Sequence, residues 1–244
     1  MFASWRIALI DRLVGLNERW VFERRLARHY RRVLRSGIRL VIDVGGNRGQ
    51  TIRFFRRLDR RCVIHTFEPD PALFALLQER FAGIEGVHLH PEGISDQAGE
   101  KLFHENVLGY TSTFERLDQG SAYLEKKARI LGVDKGAIVK RSYPVRVTTL
   151  REFLSGMAPC TVDVLKIDTE GHEHACLEGL FPLPAGAMIR YVQLEDHRDD
   201  MYADRVPFAR SEQLLREHGF ELDARIPHGF GELDDVVFRR SANV

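Results

Sequence analysis

The chain has 244 residues, a net charge of +1, 44% hydrophobic and 29% charged residues. That length holds one large α/β domain with a substantial core, and a near-neutral total excludes the overall basic field that draws nucleic acid. Cys62, Cys160 and Cys176 form neither a disulfide framework nor a zinc pattern, no apolar run approaches the ~20 residues of a membrane span, and Arg6, Asp11 and Arg12 interrupt any signal-peptide core, so the expected location is cytoplasmic.

Residues 1–36 carry nine arginines against Asp11, Glu18 and Glu23, with Ile7, Ile10, Leu13, Val14, Val21, Phe22 and Leu26 at roughly helical spacing. The pattern predicts an N-terminal basic helical extension. Three roles compete for it: a cap packed on the domain, a basic amphipathic helix touching anionic membrane at the inner face or a lipid-linked substrate, or a helix for homodimerisation or another partner. Ser36-Gly37 ends it, and 37–244 reads as the main domain.

From residue 39 strands and helices alternate. Arg39–Val44 reads as a strand, Arg48–Leu58 as a helix and Cys62–Phe67 as a second strand. Asp70 caps a helix that starts at Pro71 and runs to about Phe81. Val87–His90 and Lys101–His104 are short strands. Residues 105–141 break the rhythm as an insert or lid, with a polar helix near Ala122–Leu131. Tyr143–Thr148 alternates like a strand, placed at an edge by Pro144. Val162–Ile167 and Met188–Leu194 are core strands, Phe208–His218 is a helix, and Glu221–Ile226 with Asp235–Arg239 closes the chain as an antiparallel hairpin around Pro227–Gly231.

Such alternation implies an α/β fold with a mostly parallel sheet covered on both faces. Ligands bind such sheets at the carboxyl ends of the strands. Asp43, Glu68, Asp168 and Glu195 all fall at strand ends. Buried parallel strands rarely need acids, so four at one edge point to a cleft.

The stretch Val41–Gln50 joins a buried strand to a helix through Gly45, Gly46 and Gly49. Glycines let a ligand approach the backbone. The dinucleotide pattern G-x-G-x-x-G fails, because Val44 stands two before Gly46. An acid at Asp43 repels a pyrophosphate and suits a ligand with an ammonium group. S-adenosylmethionine, with an ammonium, a carboxylate and a sulfonium but no phosphate, fits. Asp43 faces the ammonium side, directly or through water. The amides of Gly49, Gln50 and Thr51 receive the carboxylate at the helix N-terminus, and Glu68 accepts the ribose hydroxyls.

At this point the chain resembles the FkbM-type methyltransferases, within the class I S-adenosylmethionine-dependent superfamily. The resemblance rests on Ile42–Gly49, Phe67-Glu68-Pro69-Asp70-Pro71, Gly93-Ile94-Ser95-Asp96 with Gly99, Gly109-Tyr110-Thr111-Ser112, Val147–Leu150 and Leu165-Lys166-Ile167-Asp168-Thr169-Glu170-Gly171-His172-Glu173, with Glu195 and Asp235–Phe238 also fitting. It covers about residues 38–240. Gly46 departs from it conservatively, since the family more often has alanine there. The resemblance implies a Rossmann-like, doubly wound, seven-stranded sheet with an antiparallel C-terminal hairpin. It implies cofactor contacts at Asp43, Gly45, Gly46, Asn47, Gly49, Gln50, Thr51, Glu68, Pro69, Ser95, Asp96 and Asp168. It also implies methyl transfer to an oxygen of a sugar, glycan, lipid-linked glycan or natural product.

An alcohol acceptor must lose a proton, to a base or with a metal that lowers its pKa. Asp168, Glu170, His172, Glu195, Asp196 and His197 sit on two loops that adjacent strands bring together. Asp168, His172, Glu195 and His197 are the expected catalytic set, with His172 or His197 as base. The rival is a Mg²⁺ site made by Asp168, Glu195 and His197. Lys166 is expected to snorkel to the sheet end, and the other histidines, His228 included, to be surface or packing residues. Tyr110, Thr111, Ser112 and the hairpin tip are candidate walls of the acceptor site. No nucleic acid partner is expected. N-methylation, protein or RNA methylation, and a non-catalytic binding role are the alternatives.

Overall fold

A computed structural model of the protein describes residues 22–107, 111–198, 200–203, 206–228 and 233–242. The expectations for residues before 22, for Gly109 and Tyr110, and for the hairpin tip at 229–232 lie outside them. The elements are α1 (Glu23–Val33), β1 (Leu40–Val44), α2 (Gln50–Leu58), β2 (Val63–Phe67), α3 (Pro71–Phe81), β3 (Val87–His90), β4 (Gly93–Ile94), β5 (Gly99–Asn106), α4 (Ala122–Leu131), β6 (Val139–Thr148), α5 (Leu150–Ser155), β7 (Cys160–Ile167), α6 (Glu173–Glu178), β8 (Ala187–His197), α7 (Phe208–Glu217), β9 (Phe220–Pro227) and β10 (Leu233–Arg240).

Seven strands form one sheet in the order β3-β2-β1-β7-β8-β10-β9, and only β10 runs antiparallel to its neighbours. Successive side chains of each strand serve opposite faces. Val41, Ile64, Val164 and Val237 pack under α1, α2 and α3. Ile42, Leu165, Val192 and Val236 pack under α5, α6 and α7. Each such side chain contributes roughly 1.5–3 kcal/mol by leaving water. Both faces are thus closed, which leaves the strand ends as the place for a ligand. The chain runs outward from β1 to β3 on one side and from β7 to β8 on the other, so the β1–β7 gap is the switch point where open α/β sheets bind ligands.

The helical extension is not a separate body in its described part. Leu26, Tyr30 and Leu34 of α1 and its flank lie in the same core as Val41, Phe55 and Ile64. The apolar face of α1 is therefore spent on the sheet, which is the cap arrangement for residues 22–34.

The segment expected as an insert, 105–141, carries α4 and is flanked by a second sheet. β4, β6 and β5 form a second, three-stranded sheet in that order, with β6 in its middle. Pro144 is nonetheless at a locally open edge. It pairs with Leu102 of β5, while two-residue β4 reaches only Val147 and Thr148, so the missing N–H is not needed. The edge signal of a proline is local, not a property of the whole strand.

Candidate active site

The glycine loop is clamped between two strand ends. The amides of Gly45 and Gly46 both donate to Phe67 O, at 3.1 and 2.9 Å, and Asp168 N–H donates to Val44 O at 3.0 Å. Gly45 has φ +93°, and a Cβ there would lie 1.9 Å from Asp168 O. Only glycine fits. Gly49 enters α2 with φ +77° against the Phe81 ring. Asn47 takes φ +47° and donates its amide to Glu68 Oε2 at 2.6 Å. Glu68 Oε1 accepts from Asp70 N–H at 2.9 Å, and Asp70 caps α3 through Ala72 and Leu73. The two motifs thus lock each other.

Beside this loop lies a cleft of about 550 Å³, counting its open mouth. Of the expected cofactor residues, Gly45, Asn47, Glu68, Pro69 and Asp168 line it. Apolar Phe67, Leu73, Ile94, Phe103 and Phe114 complete its walls, together with Thr169 and Glu170. Asp43 stands behind the loop, fully buried, and accepts from Thr66 Oγ1 at 3.0 Å. Gly46, Gly49, Gln50 and Thr51 also stand outside the lining. Ser95 and Asp96 turn away from it: Ser95 Oγ donates to Asp96 Oδ1 at 2.7 Å and accepts from Lys101 Nζ at 2.8 Å.

The cleft fits a ligand rich in donors. Asn47 Oδ1 is a buried acceptor without a partner, and Asp43 Oδ1, near the Thr51 hydroxyl, lacks a well-formed hydrogen bond. Burial pushes the Glu68 carboxyl up to about 8 and Asp43 to about 6. A cationic ligand that donates hydroxyl protons would relieve both.

At the far side of the cleft, oxygens of Asp168, Glu170 and Glu195 lie within 4.8 Å of one another. Lys166 does not snorkel. Its side chain is 13% exposed, and its ammonium lies 2.6 Å from Asp168 Oδ2. Desolvation disfavours that charge, yet Asp168, Asp43, Glu195 and Asp235 outweigh it and raise the Lys166 pKa. Desolvation likewise opposes Asp168 ionisation, and Lys166 overcomes it and holds the carboxyl low. For Glu170 and Glu195 desolvation dominates and raises both.

Two expectations for the histidines need correction. His172 is 3% exposed and does not line the cleft. Its Nε2 lies 2.9 Å from Ser95 Oγ and its Nδ1 2.6 Å from Glu115 Oε1. With both nitrogens engaged it is a strut, not a base. His197 Nε2 lies 3.2 Å from Glu195 Oε2. Burial favours its neutral form, but the contact with Glu195 and the charges of Glu170 and Glu173 overcome this and raise its pKa. That direction favours the protonated imidazole and disfavours His197 as the proton acceptor.

The same charges bear on the metal. The expected trio Asp168, Glu195 and His197 does not converge: Glu170 takes the place of His197 in the carboxylate cluster. Lys166 and His197 already supply two positive charges to that cluster, with Lys166 on an Asp168 oxygen that a cation would need. A divalent ion held by Asp168, Glu170 and Glu195 would have to displace Lys166 from Asp168 Oδ2.

Several site residues have no sequence signal. Thr113 Oγ1 donates to Glu170 O at 2.7 Å, and Tyr202 O–H donates to Glu170 Oε2 at 2.7 Å. With Leu117, Leu124 and Met201, Tyr202 forms a small core that roofs the Asp168–Gly171 loop. His228 is more than a surface residue. Its Nε2 lies 2.5 Å from Asp235 Oδ2, and the two have ligand atoms within 4.8 Å of a Glu195 oxygen. Gln193 Nε2 donates to Asp235 Oδ1 at 2.5 Å, and Tyr30 O–H donates to Gln193 Oε1 at 2.6 Å. A buried polar line therefore runs from α1 to the acids.

The chain is similar to known proteins in sequence and in fold. Residues 43–222 match the model of the methyltransferase FkbM domain. The chain is 24% identical over 204 residues to 2-O-methyltransferase NoeI of Sinorhizobium fredii (strain NBRC 101917 / NGR234), covering 83% of this chain and 79% of that protein. It is 27% identical over 236 residues to 31-O-demethyl-FK506 methyltransferase FkbM of Streptomyces tacrolimicus, covering 86% and 85%. A solved SAM-dependent methyltransferase from Aquifex aeolicus shares the fold with TM-score 0.50 at 12% identity, over 95% of this chain and 97% of that one. With the family model spanning most of the chain and the glycine loop, Glu68 and Asp168 gathered on one cleft, this chain belongs to the FkbM methyltransferase family and is a S-adenosylmethionine-dependent methyltransferase.

Proposed function

We propose that the protein methylates a hydroxyl oxygen of a carbohydrate, a lipid-linked glycan or a natural product, in the cytoplasm and without Mg²⁺. The observation that carries this is the double position of Asp168. It lines the cleft with Gly45, Asn47 and Glu68, and its carboxylate also belongs to the cluster with Glu170 and Glu195. Both sequence relatives are named as O-methyltransferases. Cys62, Cys160 and Cys176 are free thiols, which suits a reducing compartment.

S-adenosylmethionine, when bound, supplies an electrophilic methyl group on a sulfonium. The chain supplies position and proton handling. Glu68 and Asn47 hold hydroxyls, and the apolar wall of Phe67, Leu73 and Ile94 takes a flat base. Glu170 lines the cleft, and burial raises its pKa above the ordinary carboxylate value, which makes it a better proton acceptor. With the donor bound, Glu170 would take the acceptor O–H proton, while the methyl passes to that oxygen and S-adenosylhomocysteine is the leaving group. Glu195 and Asp168 share the resulting charge pattern with Lys166 and His197. The proton acceptor is thus moved from the histidines to Glu170.

The test is mass spectrometry of glycan, lipid and small-molecule extracts treated with the protein and isotopically labelled methyl donor. A labelled product one methyl heavier, with the label on oxygen, supports the reading. Label only on nitrogen or on protein contradicts it.

A further inference from the structure

The charge of this protein is unevenly placed. Residues 22–61 hold thirteen arginines and no lysine against Glu23, Asp43 and Asp59, in a chain whose total is +1. Asp43 is buried, so it does not offset the surface. The arginines fall on α1, α2 and their flanks, which cover the same sheet face. Arg24, Arg25, Arg28, Arg31, Arg32 and Arg35 are exposed on one helix and its flank, and Arg53, Arg57, Arg60 and Arg61 on the other. A groove between the helices is lined by Arg24, Arg28, Arg31 and Arg57, with Glu23 paired to Arg57 and Phe54 and Leu58 at its floor.

We infer that this arginine face docks the enzyme on an anionic membrane surface. Guanidinium groups bind phosphate in bidentate fashion, and a broad positive surface accumulates on negatively charged headgroups. Three observations favour lipid over other partners. Among the described residues of the region, the rings of Tyr30, Phe54 and Phe55 are buried beneath the helices and offer no stacking platform for nucleic acid bases. A second copy meeting the same face would oppose arginine with arginine. The face also ends at the site: Phe22 stacks on His228 at 3.9 Å between ring centres, and His228 bonds Asp235 beside Glu195. A lipid surface against α1 therefore lies next to the rim of the carboxylate cluster. Because the apolar side of α1 is packed on the sheet, binding through the described helices is electrostatic and not insertive.

The test is co-sedimentation of the full chain with vesicles, and it reads binding apart from methyl transfer. The protein should pellet with vesicles containing about a third phosphatidylglycerol and stay in solution with pure phosphatidylcholine. About 0.5 M salt should release it. The triple variant Arg24→Glu, Arg28→Glu, Arg31→Glu should bind at least about tenfold more weakly, with an unchanged thermal midpoint and unchanged cofactor binding as the fold control. Equal binding to neutral vesicles overturns the inference, as does a triple variant that binds normally. Displacement by millimolar inorganic phosphate would show a single-anion site instead, and tighter, vesicle-competing binding to an RNA oligonucleotide would show a nucleic acid face.

Discussion

Gly46 and Thr66 show how a single position depends on its neighbour. Read along the chain, alanine at 46 is a conservative exchange. In the structure a Cβ at Gly46 would lie 2.3 Å from Thr66 Cγ2 and 3.1 Å from Leu77 Cδ1. Thr66 is fully buried and holds Asp43, so its methyl cannot swing away without losing that bond. Gly46→Ala should therefore cost about 1–3 kcal/mol of stability. Thr66→Ser removes the methyl and keeps the hydroxyl, so the double variant should recover most of the loss in urea denaturation. Additive losses would count against the pairing. Glu170 is raised by burial, so it holds its proton at pH values where an ordinary carboxylate has released it. The reaction needs it ionised, so kcat should climb with pH above the normal carboxylate range. Glu170→Gln should lower kcat by about 10²–10⁴-fold and remove that limb. Gly45, Asn47, Glu68 and Asp168 were readable because motif and strand end coincide in sequence. Thr113, Tyr202 and His228 were not, since their partners stand far along the chain and leave no local pattern.

At the scale of elements, alternation of apolar runs with helical periods carried the parallel sheet, its antiparallel close and the Asp70–Pro71 cap. It did not place α1. Nine arginines in the first 36 residues dominate that segment's composition, while Leu26, Tyr30 and Leu34, which decide its packing, are few. Nor did it show that β4, β5 and β6 make their own sheet, because β4 is two residues long. Tyr30 links α1 to the acids through Gln193 and Asp235. Tyr30→Phe should cost about 1–3 kcal/mol, since it strands a buried acceptor while leaving the ring packing intact. Equilibrium denaturation measures this, and a loss near zero would mean that Gln193 finds another donor.

For the whole molecule, two closed sheet faces leave one open edge, and the switch between β1 and β7 puts the glycine loop, Glu68 and the carboxylate cluster on it. The cluster carries its own cations in Lys166 and His197. Turnover should accordingly survive exhaustive chelation with less than about a twofold change in initial rate, and a loss restored by Mg²⁺ would show that a divalent ion displaces Lys166. The central claim is that the cleft beside Gly45 and Glu68 seats S-adenosylmethionine. Calorimetric titration with S-adenosylhomocysteine, the product of the donor, tests it most directly. The wild-type protein should bind one equivalent, and Glu68→Ala should bind at least about tenfold more weakly, through loss of charge-assisted hydrogen bonds worth about 1.5–3 kcal/mol. No binding to the wild type, or equal binding to Glu68→Ala, would contradict it.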